Sequence, residues 1–291
     1  MSCDKKTFDS LCASPKYLLE ICIVVKDARD EVSKTFESIL DRIHEVKYGE
    51  LSIRLLDGFS KDGTWEYLKS ITHDDQVFGL SIAQSPPRGV YDAMNVCVKK
   101  SQAEWIWFVN AGDLVVAQIK QVVSQLNAAD QSVNAIIGSC GLFFSKKAKF
   151  CFINKNSRLE RPHQSTVYRK SAHIKYGVYN QLYKAMSDKL FLNRFMESEI
   201  SGSMEPFAAT LVSPVNMSRR PNIIAHDLNV FSAEFGCKIK FRDRMRIHMY
   251  EIEGLIGFAI FTFVKLALEL IKGKAGVISI GSPIRTDNKI L

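Results

Sequence analysis

Between residues 17 and 127 the sequence alternates strand-like and helix-like periods, and this restricts the possible folds more than any other feature. YLLEICIVV (17–25) is a near-continuous apolar run that ends in the polar Lys-Asp-Ala-Arg-Asp, as a buried parallel strand entering a loop should. Residues 31–46 then place Val32, Phe36, Ile39, Leu40 and Ile43 at a helical period. The pattern repeats with LSIRLLDG (51–58) before a short helix at 64–71 that carries Trp65, Leu68 and Ile71 on one side. VFGLSIA (77–83) precedes a helix at 89–101, and EWIWFVN (104–110) precedes one at 114–127. Such alternation predicts an α/β sheet with crossover connections. Ligands of these sheets sit at the carboxyl ends of strands, where Asp27, Asp57 and Asp113 fall.

The second half is mixed. AIIGSC, FCFIN and STVYR read as strands, 155–163 as a polar loop, 170–176 and 184–197 as helices, and FAATLVSPV (207–215) as a last strand. From about 225 a helix runs to 237, followed by five cations between 238 and 246 and an apolar stretch at 255–271 that contains Lys265 and Glu269. Spanning a bilayer takes roughly 20 apolar residues, so this stretch is short and charged for that purpose. A cationic flank beside an apolar helix suits an anionic membrane surface, here through 238–272; the alternative is a helix packed on the domain or in a dimer interface. The predicted organisation is a main domain over 1–220 and a helical, basic and apolar extension over 221–291.

At 291 residues the chain can bury a large core. Its seven cysteines, at 3, 12, 22, 97, 140, 151 and 237, are scattered without zinc-like spacing, which predicts a reducing cytosol. The first residues lack the apolar core of a secretory signal, so export is not expected. A net charge of +8 admits nucleic acid, acidic membrane or phosphorylated partners without choosing among them.

Several short segments have the composition of a site. Asp57 closes a strand, while Asp62 and Thr64 read as turn and helix caps. RGVYDAMN (88–95) starts a helix, so Arg88 and the free N–H groups suit a phosphate. Asp92 and Asn95 share a face suited to paired hydrogen bonds with a polyol such as ribose, although Asp92 also suits the helix dipole alone. Asn110 and Asp113, in WIWFVNAGD, carry oxygen ligands for a hard cation such as Mg²⁺ or Mn²⁺. His44, His73, His173, His226 and His248 lack ligand spacing and read as surface or packing residues. The aromatic strand at Trp105 and Trp107 reads as core, with one ring available to face a cleft.

In order and spacing, these segments resemble the inverting nucleotide-sugar glycosyltransferases of family 2, with the GT-A fold, a Rossmann-like mixed sheet flanked by helices. LLDGFSKDGTWEYLK is similar to that family's Asp-Gly-x-Ser-x-Asp-Gly-Thr segment, RGVYDAMN to its Lys/Arg-Gly-Ile-Tyr-Asp-Ala-Met-Asn segment, and WIWFVNAGDLV to the metal-site strand of a bacterial surface-polysaccharide branch. RPHQSTVYRKSAHIKYGVYNQLYKAMSDKLFLNRF resembles the acceptor-side segment, and the likeness spans roughly 19–215. It implies that Asp27 and Asp57 contact base and ribose, and that Arg88 and Asp92 help to hold the nucleotide. It further implies that Asp113 binds the metal, that Asp188 is the general base, and that His163 lies near the diphosphate or the acceptor. The implied donor is a UDP-, GDP- or dTDP-sugar and the acceptor a glycan or lipid-linked glycan. The implied place is cytoplasmic, peripheral on the inner face of the membrane.

The sequence departs from the family at Asn110, where the usual metal motif has a second aspartate, and at Ser187, where it has Glu before the base. The Gln-x-x-Arg-Trp of processive synthases is missing, since the tryptophans are 65, 105 and 107. Addition of one or a few sugars is therefore expected. Two other classes compete: a degenerate fold that binds nucleotide without turnover, favoured by Asn110, and a nucleic-acid binder, disfavoured because the cations lack a recognition motif.

Overall fold

A computed structural model describes residues 14–71, 78–86, 88–143, 150–154, 163–211, 221–236 and 275–279. The region 238–272, with its expected membrane contact, lies outside the described residues, as does most of the 155–163 loop.

Apolar alternation becomes a parallel core. Strand β1 (Tyr17–Val25) lies between β2 (Leu51–Asp57) and β4 (Ala103–Phe108), parallel to both, and β3 (Gly79–Gln84) extends the row beyond β2. Leu19, Ile21, Ile23 and Val25 point to one face of the sheet and Cys22 to the other, as the period of two requires. The first face is covered by helices α1 (Arg29–Leu40), α2 (Thr64–Ser70) and α4 (Ile119–Ala128), through side chains such as Val32, Phe36, Leu68, Val122 and Leu126. Helix α3 (Val90–Lys100) covers the second with Tyr91, Met94 and Cys97, joined by α5 (Lys170–Tyr176) and α6 (Ser187–Leu192). Each fully buried Leu or Ile contributes about 1.5–3 kcal/mol, so both layers are needed to cover the sheet. Trp105 and Trp107 are both fully buried in the first layer, and neither ring faces a cleft.

Glu20 interrupts the apolar run of β1 yet is 2% exposed. Arg54 of β2 donates to its two oxygens at 3.2 and 3.0 Å, and also reaches Ser81 Oγ of β3 and the carbonyl of Lys100. This bidentate pairing is what makes the buried carboxylate tolerable.

Beyond β4 the sheet turns antiparallel. Strand β8 (Thr166–Arg169) pairs β4, then β6 (Ala135–Phe143), β7 (Phe150–Asn154) and β10 (Ala275–Ser279) follow to the edge. Strand β9 (Ile200–Leu211) runs parallel to β6 across register shifts near Gly138, where a Cβ would sit 2.4 Å from Phe207 Cγ. Three expectations are corrected. Leu114–Val115 form a strand, β5, paired to β9 before α4 begins at Ile119, because the two β-branched positions after Leu114 follow a turn rather than a cap. Helix α6 is shorter than 184–197, since residues 184 and 185 give their N–H groups to Asp227. The last strand of the core begins at Ile200 rather than 207. Helix α7 (Pro221–Phe235) opens the C-terminal extension, and β10 gives that extension a strand as well as helix.

Candidate functional site

The carboxyl ends of β1 and β2 are tied together by side chains. Asp27 is exposed, in a left-handed backbone conformation with φ 48°, and accepts from Lys61 N at 2.8 Å, while its own N–H donates to Ser60 Oγ at 2.8 Å. Asp57 is fully buried and accepts from Ser60 Oγ at 2.5 Å, from Ser60 N, and from Gln84 Nε2 at 2.8 Å. Its carboxylate therefore shapes the loop that carries Ser60 and Lys61. Asp62 accepts from Thr64 N and from Arg29 N, each at 3.1 Å, and so ties the starts of α2 and α1 together from the turn; the cap positions themselves are Gly63 and Ala28, not Asp62 or Thr64 as expected.

Asp113 stands on the turn after β4. Gly112 turns the chain with φ 98°, and the Asp113 side chain is buried beside the hydroxyl of Thr210. Burial pushes its carboxyl up to about 7, against the opposing pull of that hydroxyl and of a hydrogen bond with Asn110. Thr35 of α1 holds the whole turn: its Oγ1 accepts from Gly112 N at 2.9 Å and lies 2.8 Å from the Asp113 carbonyl. Ser38, three residues on along the same helix face, accepts from Val115 N at 2.9 Å. Asn110 contributes its carbonyl to Asp113 N at 3.0 Å. No cluster of three or more His, Cys, Asp or Glu side chains suited to a metal is present among the described residues. One carboxylate at a strand-end turn nevertheless fits a hard cation that takes its remaining ligands from phosphate and water.

The RGVYDAMN segment forms the start of α3. Gly89, at φ 118°, leads into Val90; Arg88 is exposed and Asp92 half-buried in the first turn. Asn95 is engaged at both ends of its amide by the main chain of Tyr179, at 2.9 and 3.0 Å. That clamp accounts for the residue without a ligand, and only Arg88 and Asp92 remain outward on this helix start.

Asp188 lies in the first turn of α6, its side chain 19% exposed. Its Oδ1 accepts from the hydroxyl of Tyr91, on α3, at 2.5 Å, and its Oδ2 is 3.8 Å from His163 Nδ1. His163 stacks on Phe108 at the end of β4, and burial lowers its pKa against the pull of Asp188. The structure thus brings two predicted residues, Asp188 and His163, within 3.8 Å of each other, and adds beside Asp188 a third, Tyr91, that the sequence reading passed over. Tyr91 stood inside the quoted motif, but its partner is 97 positions away and nothing local points to it.

The architecture and these positions can now be set beside known proteins. The sequence profile of Glycosyl transferase family 2 matches residues 20–191. The chain belongs to glycosyl transferase family 2. That span runs from β1 to α6 and includes every predicted site residue. Among solved structures, S. aureus TarS 1–349 in complex with UDP-GlcNAc is similar at 14% identity, with a TM-score of 0.55 over 79% of this chain and 78% of that one. The same fragment in complex with UDP aligns at 15% identity and a TM-score of 0.53, over 78% and 77%. The mannosyltransferase PcManGT from Pyrobaculum calidifontis, in complex with GDP-Man and Mn²⁺, aligns at 11% identity and a TM-score of 0.55, over 92% and 87%. At these identities the likeness establishes the fold, a GT-A-like mixed sheet flanked by helices. No match was found among curated protein sequences. Among the described residues of this family 2 chain, no helix is long and apolar enough to cross a membrane.

Proposed function

We propose that this glycosyltransferase is metal-dependent and inverting, of hexosyltransferase type. It moves a sugar from a UDP-, GDP- or dTDP-sugar to a hydroxyl of a glycan or lipid-linked acceptor in cell-surface polysaccharide biosynthesis, of lipopolysaccharide type. The observation that carries this reading is the hydrogen bond between Asp188 and the first turn of α3, which puts a carboxylate from the acceptor-side segment beside the helix start bearing Arg88 and Asp92. The complexes of the similar structures with UDP-GlcNAc and with GDP-Man and Mn²⁺ support the donor class and the cation.

In this reading Asp27 and Asp57 hold base and ribose, Asp57 through the loop it anchors, while Asp92 and Arg88 hold ribose and phosphate. Asp113, with Asn110 beside it, is reserved for Mg²⁺ or Mn²⁺, which when bound supplies positive charge to the diphosphate as it departs. The acceptor oxygen bonds to the anomeric carbon from the face opposite the diphosphate, the bond to the diphosphate breaks, and the hydroxyl proton passes to Asp188. His163, 3.8 Å from Asp188, lies near the diphosphate or the acceptor. The cations from 238 on keep the enzyme at the anionic inner face of the membrane.

A second reading, nucleotide binding without turnover, is favoured by the single carboxylate of the Asp113 turn. Donor hydrolysis separates the two, because a binding module releases no free sugar. Asp188→Asn should lower turnover of UDP-GlcNAc or GDP-mannose by ~10²-fold or more while nucleoside diphosphate affinity with Mn²⁺ stays unchanged. Unaltered turnover in that variant would sink the assignment of the base.

A further inference from the structure

We propose that Tyr91 is a positioning residue that aims the Asp188 carboxylate and ties the general base to the donor-holding helix. The proposal rests on the reading of Asp188 as the base. A carboxylate on a short helix turn can rotate about its χ angles, and each rotation moves the accepting oxygen away from the line of proton transfer. Here Oδ1 is fixed by the phenol at 2.5 Å, which leaves Oδ2, on the His163 side, as the oxygen that takes the proton.

The phenol is itself well fixed. Tyr91 is 5% exposed, its ring packs 5.8 Å from that of Tyr179, and Asn95, one turn along α3, is clamped to the Tyr179 main chain. Burial and the neighbouring charge of Asp188 hold the Tyr91 hydroxyl far above its ordinary range, so it remains a donor at any working pH. It occupies the same first turn of α3 as Asp92, three residues after Arg88. A donor seated on that turn therefore rests on the element that holds the base, and a misplacement of about 1 Å at such a point costs on the order of 10² in rate.

The titratable groups around this bond are His163 before β8, Asp227 of α7, and Tyr168 of β8 and Tyr179 after α5, whose hydroxyls burial keeps neutral. Tyr91→Phe removes one hydroxyl and leaves the ring packing and all of these in place.

The test compares wild type, Tyr91→Phe and Asp188→Asn in nucleoside diphosphate release from UDP-GlcNAc and from GDP-mannose with Mn²⁺, with water as acceptor. Thermal melting and nucleoside diphosphate affinity by calorimetry separate positioning from packing. Tyr91→Phe should lower kcat by about 10- to 100-fold with KM, melting and affinity unchanged. Loss of turnover in Asp188→Asn together with a wild-type rate in Tyr91→Phe overturns the role of Tyr91 and leaves the base standing. Wild-type turnover in Asp188→Asn overturns the base and the proposal with it. A fall in kcat that comes with lowered melting or affinity would mark Tyr91 as packing alone and also overturns the proposal.

Discussion

His173 lies flat on Phe191, with ring centroids 4.4 Å apart and planes 6° off parallel, and neither of its ring nitrogens has a hydrogen-bond partner among the described residues. Burial, with a smaller push from His163, takes its pKa from the ordinary 6.5 down to about 3. The unfolded chain therefore binds a proton near pH 6.5 that the folded chain refuses until about pH 3. Stability from this site is complete above pH 6.5 and is lost as pH falls from there toward 3, at up to about 1.4 kcal/mol per pH unit. His163, also lowered by burial, acts in the same direction. Between pH 7.5 and 5, His173→Phe should lose about 2 kcal/mol less stability than wild type in urea unfolding, since Phe keeps the stack and has no proton to gain. An equal loss in both proteins would show that His173 is solvated in solution. The sequence left His173 as a surface or packing residue, because it carries no ligand spacing, and the structure places it in the packing. The sequence could not show the flat stack, which depends on Phe191 arriving from another helix.

Helix α7 shows how an element outside the family span bears on the site. Asp227 is fully buried, and its two oxygens accept from Lys184 N at 2.8 Å and Ala185 N at 2.7 Å, just ahead of the turn that carries Asp188. Glu234, two turns along, accepts from the Tyr183 hydroxyl at 2.5 Å. Each bond to a charged acceptor contributes about 1.5–3 kcal/mol, so the loop before Asp188 is held from α7 as well as by its own Asn180, which accepts from Leu182 N and Tyr183 N. Asp227→Ala should therefore lower the melting temperature and reduce donor turnover several-fold, yet leave nucleoside diphosphate affinity near wild type; lost affinity would mean that α7 supports the donor side instead. This dependence was hidden in the sequence for the reason that β5 and β10 were. Periodicity reveals which residues a strand or helix buries, and so the run from β1 to α4 was legible in its order. Pairings such as Leu114 with Ala209, or Val277 with Phe152, are set by tertiary approach and leave no local mark. Glu20 is a related case: an acid in an apolar run made sense only once Arg54 was beside it.

At the scale of the molecule, the strand order β3-β2-β1-β4 places the loops after β1 and β4 on either side of a reversal in connection order, where an α/β sheet opens a crevice for a ligand. Asp27 follows β1, Asp57 ends β2 and Asp113 follows β4 at this edge, and the family was legible from the order and spacing of the motif segments even though Asn95 is clamped within the fold. In the proposed reading the nucleotide touches separate elements, the loop of β2, the start of α3 and the Thr35-held turn between α1 and β4, so it adds stability that no single loop supplies. A ligand at one hundred times its dissociation constant adds about 2.7 kcal/mol, and a domain of this size gains roughly 2–4 °C per kcal/mol. A screen of UDP, GDP and dTDP, each with Mn²⁺, should therefore find one nucleotide that raises the melting temperature by about 5–10 °C. EDTA should remove most of the rise, and so should Asp113→Asn, whereas Asp188→Asn should keep it, because in the proposed mechanism Asp188 touches the acceptor and not the diphosphate. A rise that survives both EDTA and Asp113→Asn would show that the nucleotide is held without the cation, by Arg88 and the start of α3 alone.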